Sequence, residues 1–212
     1  MPYYLQFGGQ YKSNIDMKLF DTSYDIVVIG TEGVGKTILN KRIRGLEYDK
    51  KRDDQGTSTR KRLPSALLSI GNKKIKIKQG WDYGGAEDLR YNYNGLIKRR
   101  KIIILLFNTE KYMNDTEERD HLLGRIVGLM RRRVDLKDVY IMGSYYDKVS
   151  DRYSKNDIKK HLIEDIKKEN DQTMIDDDHI RIMSFGYDNM NGEFIPDDSD
   201  IENFKVKLFN KN

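Results

Sequence analysis

Residues 30–37 read GTEGVGKT, a spacing of glycine, lysine and hydroxyl that suits a phosphate group. Gly30 and Gly35 let the chain turn backbone N–H groups inward around an anion, and the start of a helix adds its positive end. Lys36 supplies a point charge to the terminal phosphates, and the Thr37 hydroxyl is suited to Mg²⁺. The apolar run DIVVIG (25–30) precedes the loop, and KTILNKRIRGL follows it with Ile38, Leu39, Ile43 and Leu46 on one helical face. Strand, glycine loop and helix are the context that separates a nucleotide-phosphate cradle from a chance glycine turn. Gly30, Glu32, Gly33, Val34, Gly35, Lys36, Thr37 and Ile38 are therefore the expected phosphate-side contacts. The loop alone does not choose between guanine and adenine nucleotides.

A second constellation, WDYGGAE (81–87), ends the strand KIKIKQGWD. Asp82 can hold the magnesium shell there, and Gly85 can offer its N–H to the last phosphate. At this point the sequence resembles the small GTPases. WDYGGAE looks more like the WDxGGQE of the Arf-like and G-alpha branches than like the DTAGQE of Ras, and the likeness runs from about residue 24 to 209. The resemblance implies a three-layer α/β/α fold. Its six-stranded, mostly parallel sheet has one antiparallel edge strand and about five helices. It also implies a G domain over residues 24–212 behind an extension at 1–23.

The family's NKxD motif should follow the strand DVYIMG, where this chain has Ser144, Tyr145, Tyr146 and Asp147. The resemblance keeps Asp147 as acceptor for the ring N–H and exocyclic amine of guanine, a pair adenine cannot offer. Ser144 replaces the asparagine and Tyr145 the lysine; a tyrosine ring can still lie on the base. The SAK motif corresponds to Ser184, Phe185 and Gly186, with the Phe185 N–H toward the guanine oxygen. The switch threonine that binds magnesium falls among Thr57, Ser58 and Thr59. Counting back from the next hairpin favours Thr59, then Thr57.

The family's water-orienting glutamine falls at Ala86, whose methyl group cannot orient a water. Glu32, in the third variable position of the loop, would project toward the third phosphate. Relatives differ by roughly 10⁵ in rate between activated and unactivated states. A vacant glutamine position therefore implies a barrier higher by a few kcal/mol, at about 1.4 per tenfold. The expectation is a GTP-binding switch with Mg²⁺, GTP and GDP as ligands and slow intrinsic hydrolysis. Faster turnover would need a protein partner at the switch regions or a substitute such as Glu32, Glu87 or a tyrosine. The alternative is a pseudo-GTPase that holds guanine nucleotide as a scaffold, favoured by Ala86 and Ser144. A third class, an ATPase or kinase, is disfavoured by WDYGG and Asp147.

The elements that must position these residues follow a strand–helix alternation, which implies a mostly parallel sheet covered on both faces. LPSALLSIGNKKIKIKQGWD reads as two strands turning at Gly71-Asn72, with Lys74, Lys76 and Lys78 alternating against Ile75 and Ile77. AEDLRYNYNGLIKRR has helical character. KIIILLFNT (101–109) and DVYIMGS (138–144) are buried strands, and HIRIMSF (179–185) is the last. Helices are expected at 116–133, 154–170 and 199–209, capped by Thr116, Ser154 and Ser199. Trp81 is expected as an interior anchor beside the second switch.

Composition bounds the partners. The 212 residues carry 39 Lys+Arg against 34 Asp+Glu, a net charge of +5, spread as clusters that read as solvated faces, so no nucleic-acid partner is expected. Without cysteine there is no disulfide, thiolate metal site, prenylation or palmitoylation, and Pro2 excludes myristoylation, so no lipid anchor is recognised. No apolar run reaches the length needed to span a bilayer, and the start lacks a signal-peptide pattern. The expected location is cytoplasmic. His121, His161 and His179 have no metal-ligand spacing.

Overall fold

The computed structural model describes residues 22–48, 61–82, 102–132, 138–171, 175–188, 194–197 and 199–210. The described residues open with β1 (Thr22–Tyr24) and β2 (Ile26–Gly30), then α1 (Lys36–Ile43). Next come β3 (Lys61–Leu63), β4 (Ala66–Ile70), β5 (Lys73–Ile77) and β6 (Gly80–Asp82). The second half holds β7 (Ile102–Asn108), α2 (Thr109–Asn114), α3 (Thr116–Arg132) and β8 (Val139–Ser144). It ends with α4 (Lys155–Glu169), β9 (Ile180–Ile182), β10 (Gly186–Asp188), β11 (Phe194–Pro196) and α5 (Ser199–Asn210).

The centre of the sheet is β2-β7-β8-β9, all parallel, with Ile26 opposite Ile102 and Ile103 opposite Val139. β1 pairs in parallel with β5, and β5 pairs antiparallel with β4. Only Asp25 separates β1 from β2. The Tyr24 carbonyl accepts from Lys78 N at 2.7 Å and the Asp25 carbonyl from Ile102 N at 2.9 Å. Successive carbonyls thus point to opposite neighbours, and residues 22–30 act as one central strand shared by both halves. β3 pairs with β6, extending the β4–β5 ribbon beyond Pro64 and Lys78. Counted by strand line, the order is β4-β5-β1/β2-β7-β8-β9, an open sheet with one antiparallel edge. With five helices among the described residues, this is the expected P-loop GTPase fold.

Apolar runs give this sheet its two covered faces. Every residue of β2 and of β8 is buried, as are the first six of β7, as expected where helices cover a parallel sheet on both sides. The period of two then sorts the side chains. Val27, Ile29, Ile103 and Leu105 face Leu123 and Ile126 of α3 and Ile158 and Leu162 of α4. Ile26, Val28, Ile104 and Leu106 face Leu39 and Ile43 of α1 and Phe204 and Leu208 of α5. The β4–β5 hairpin turns at Gly71 (φ 58°) as expected, burying Ile75 and Ile77 while Lys74 and Lys78 stay exposed.

The caps shift the expected boundaries. Ser154 does cap α4, in a reciprocal box with Asp157. Those bonds from the Ser154 hydroxyl and N–H hold the Asp157 carboxylate below its ordinary value of 3.8. A depressed native value means that the stabilisation is complete above that ordinary value and is lost as pH falls through the lowered one. Thr116, by contrast, is already helical, and Asp115 Oδ1 accepts from the N–H groups of Glu117 and Glu118 at 3.0 and 3.2 Å. Ser199 is likewise the first residue of α5, and its N–H donates to Asp197 Oδ1 at 3.0 Å. HIRIMSF is not the last strand either. β9 stops at Ile182, and an antiparallel hairpin, β10–β11, follows before α5. The helical expectation for AEDLRYNYNGLIKRR lies outside the described residues, as does most of the 1–23 extension.

Ile104 is fully buried in the central strand β7. Ile104→Ala is expected to lower unfolding free energy by about 2–5 kcal/mol, read as a lower denaturant midpoint with little change in slope.

Candidate functional site

The loop from Thr31 to Gly35 joins β2 to α1 and takes its shape from glycines. A Cβ on Gly30 would collide with the Leu106 carbonyl oxygen, so only glycine lets β2 leave the sheet beside β7. Gly35 has φ 87° and ψ 21° at the N-terminus of α1, and the Phe185 ring lies 2.6 Å from where its Cβ would be. The first turn of α1 carries no acidic residue, so the positive end of the helix faces the loop. Lys36 is buried, and its Nζ donates to the Thr31 carbonyl at 2.7 Å, arching over the loop. Glu32 stands exposed at the loop tip.

The second group sits where β6 meets α1. Strand alternation turns Gly80 and Asp82 inward and leaves Trp81 40% exposed, opposite Arg62. Trp81 is therefore not the interior anchor expected: an inward Asp82 puts its neighbour on the outer face. The Thr37 hydroxyl donates to Asp82 Oδ2 at 2.6 Å, and Asn40 Nδ2 donates to Oδ1 at 3.2 Å. Arg44 Nη1 in turn donates to Asn40 Oδ1 at 3.1 Å. Burial pushes the Arg44 guanidinium below its ordinary value, against the carboxylates of Asp25 and Asp82, which raise it. Thr37 and Asp82 bring two hard oxygen donors together beside the loop, a donor set that fits Mg²⁺. Thr57, Ser58, Thr59, Gly85, Ala86 and Glu87 lie outside the described residues.

The third group closes the loop from the far side. Ser144, at the end of β8, is fully buried, with its hydroxyl 3.0 Å from the Val34 carbonyl and 2.9 Å from that of Phe107. Tyr145 is left-handed (φ 58°, ψ 34°), the one described non-glycine residue at positive φ, at a cost of about 1–2 kcal/mol. That turn sends its hydroxyl back to the Gly33 carbonyl at 2.7 Å. Asp147 is paired with Ser184: the serine hydroxyl lies 3.1 Å from Asp147 Oδ1 and accepts from the Asp147 N–H at 2.9 Å. Phe185 is buried, and its carbonyl accepts from Arg42 Nη1 at 2.9 Å.

The expected residues of both loops thus meet at one rim of the sheet, where β2 and β8 end. Asn40, Arg42 and Arg44 were not foreseen. The only signal for them was polarity on the helical stretch that carries Leu39 and Ile43. Among the described residues no group of three or more acidic, histidine or cysteine side chains could hold a metal ion. His121 is exposed, and His179 Nδ1 lies 2.6 Å from Asp176 Oδ1.

The family model described as "Ras of Complex, Roc, domain of DAPkinase" matches residues 25–126, which include the phosphate loop and Asp82 but stop short of Ser144 and Asp147. No curated protein matches the chain. Among solved structures, the RocCORdC structure of Methanosarcina barkeri Roco2 bound to GDP aligns with a TM-score of 0.52 at 20% identity. The alignment covers 88% of this chain, which spans 47% of that protein's length. The likeness is one of fold.

Because the Ser144 hydroxyl is buried between two carbonyls, Ser144→Ala is expected to cost about 1–3 kcal/mol in denaturant unfolding. Ser144→Thr, which keeps the donor, should recover part of that loss.

Proposed function

We propose that this chain binds a guanine nucleotide with magnesium and acts as a nucleotide-dependent switch with slow intrinsic hydrolysis. The observation that carries the reading is the pair of hydroxyl bonds joining the two loops, Ser144 to Val34 and Tyr145 to Gly33. They tie the segment bearing Asp147 to the phosphate loop, so base and phosphates would be held by one rigid frame. In that frame Lys36 and the N–H groups at the start of α1 neutralise phosphate charge. Thr37 and Asp82 would hold the magnesium, which when bound would supply charge neutralisation to the phosphates. Ser184 orients the Asp147 carboxylate, which accepts from guanine, and the Phe185 N–H lies toward the guanine oxygen.

The WDYGG run keeps the Arf-like form within this proposal, although the family model matched is of the Roc type. Thr59, with Thr57 as second choice, is assigned to the metal, and Gly85 to the last phosphate. Ala86 leaves the attacking water without a side-chain partner, so turnover is slow unless a protein at the switch regions supplies one. We place the chain in the cytoplasm. No described helix is long and apolar enough to cross a membrane. The second reading, a scaffold that holds nucleotide without efficient turnover, is favoured by Ala86 and separates from the first in the hydrolysis rate.

Asp147→Asn tests the base assignment. The amide presents a donor where xanthine has an acceptor, so the ratio of xanthosine to guanosine triphosphate affinities should rise by at least about tenfold, close to 1.4 kcal/mol. An unchanged ratio would remove Asp147 from base recognition. For the water, Ala86→Gln should raise single-turnover hydrolysis and leave GTP affinity nearly unchanged, since the new amide acts on the attacking water and barely on the ground state. If the rate stays flat in Ala86→Gln and in its combination with Glu32→Gly, the scaffold reading stands.

A further inference from the structure

We propose that Asn40 and Arg44 are positioning residues that set the metal-facing oxygen of Asp82, and so govern how strongly magnesium retains the nucleotide. This inference rests on the guanine-nucleotide reading above. It starts from the two oxygens of one carboxylate. Oδ2 faces the Thr37 hydroxyl at 2.6 Å, and Oδ1 is held by the Asn40 amide at 3.2 Å. An amide can point either way, but a guanidinium can only donate. Arg44 Nη1 lies 3.1 Å from Asn40 Oδ1, which fixes the oxygen toward Arg44 and the NH₂ toward Asp82. The opposite orientation would set donor against donor at one end and oxygen against carboxylate at the other.

Arg44 is itself locked. It is 2% exposed, and Nη1 also donates to the Asn40 backbone carbonyl at 3.1 Å. A Cβ on Gly80 would come within 2.7 Å of Nη2, so the glycine makes room for the guanidinium between α1 and β6. Its Nε and Nη2 have no hydrogen-bond partner among the described residues. The carboxylates of Asp25 and Asp82 answer its charge through space, while two of its donors stay unpaired. Its one paired nitrogen holds both the backbone carbonyl and the side-chain amide of Asn40, and the amide holds the carboxylate. The chain Arg44–Asn40–Asp82–Thr37 runs from the C-terminal end of α1 back to its first turn. It leaves Oδ2 as the oxygen presented beside Thr37.

The test uses the full chain loaded with a fluorescent GDP analogue, with release followed in excess magnesium and in EDTA. Magnesium should slow release from the wild type. In Asn40→Leu and in Arg44→Met the slowing should shrink by about tenfold, the scale of one hydrogen bond to a charged group, while release in EDTA stays within about twofold. Arg44→Lys, which keeps one donor for Asn40 Oδ1, should restore most of the effect. A role limited to packing would speed release equally in both solutions, and that result, or an unchanged magnesium effect, overturns the proposal. Should Asn40→Leu fail to fold, the contrast between Arg44→Met and Arg44→Lys decides by the same ratio. A wild type that binds the analogue but ignores magnesium overturns the positioning role alone. One that binds no guanine nucleotide overturns the nucleotide reading itself, and the positioning role with it.

Discussion

A carboxylate that is 1% exposed has to be answered by its surroundings, and Asp82 is that carboxylate here. Burying an unpaired charge costs several kcal/mol, so the partners of Asp82 decide how β6 meets α1. Thr37 and Asn40 donate to it from successive turns of α1, and the Arg44 cation lies behind Asn40. Since Thr37 directly follows the last residue of the phosphate loop's GK pair, the same bonds fix the loop's exit. Gly30 fixes its entry, where only a missing Cβ clears the Leu106 carbonyl. The loop is thus clamped between two requirements that belong to the sheet.

The rim at the end of β8 is tied to the loop by side-chain hydroxyls. Here Ser144 reaches Val34 and Phe107, and Tyr145 reaches Gly33 only because its backbone is left-handed. An exposed hydrogen bond is worth about 0.5–1.5 kcal/mol, close to the cost of that turn, so Tyr145 holds geometry rather than adding stability. Arg42 adds a third tie, with Nη1 donating to the carbonyls of Phe185 and Asp197 at the two ends of the β10–β11 hairpin.

Much of this was legible in the sequence, for a physical reason. Strands covered on both faces must be apolar throughout, so IVVIG, IIILLF and VYIMG stand out without alignment. The glycine–lysine–threonine spacing is legible because backbone geometry dictates it. What was missed has equally physical causes. Thr116 and Ser199 lie beside aspartates that cap as well as they do, so the true boundary moved by a residue or two. The β10–β11 hairpin lies in GYDNMNGEFIP, whose glycine, asparagine and proline read as loop. Trp81 lies outside because the alternation that turns Asp82 inward overrides what the resemblance implies. Asn40, Arg42 and Arg44 carry no motif; their roles depend on what lies across α1, which only the folded chain reveals.

A guanine-nucleotide switch must select its base. On nucleotide-stripped protein with magnesium present, calorimetric titration with GDP and with ADP measures this directly. The expected result is one site per chain that prefers GDP by at least about tenfold, roughly 1.4 kcal/mol. Equal affinities, a preference for ADP, or binding that survives intact in Lys36→Ala would contradict it.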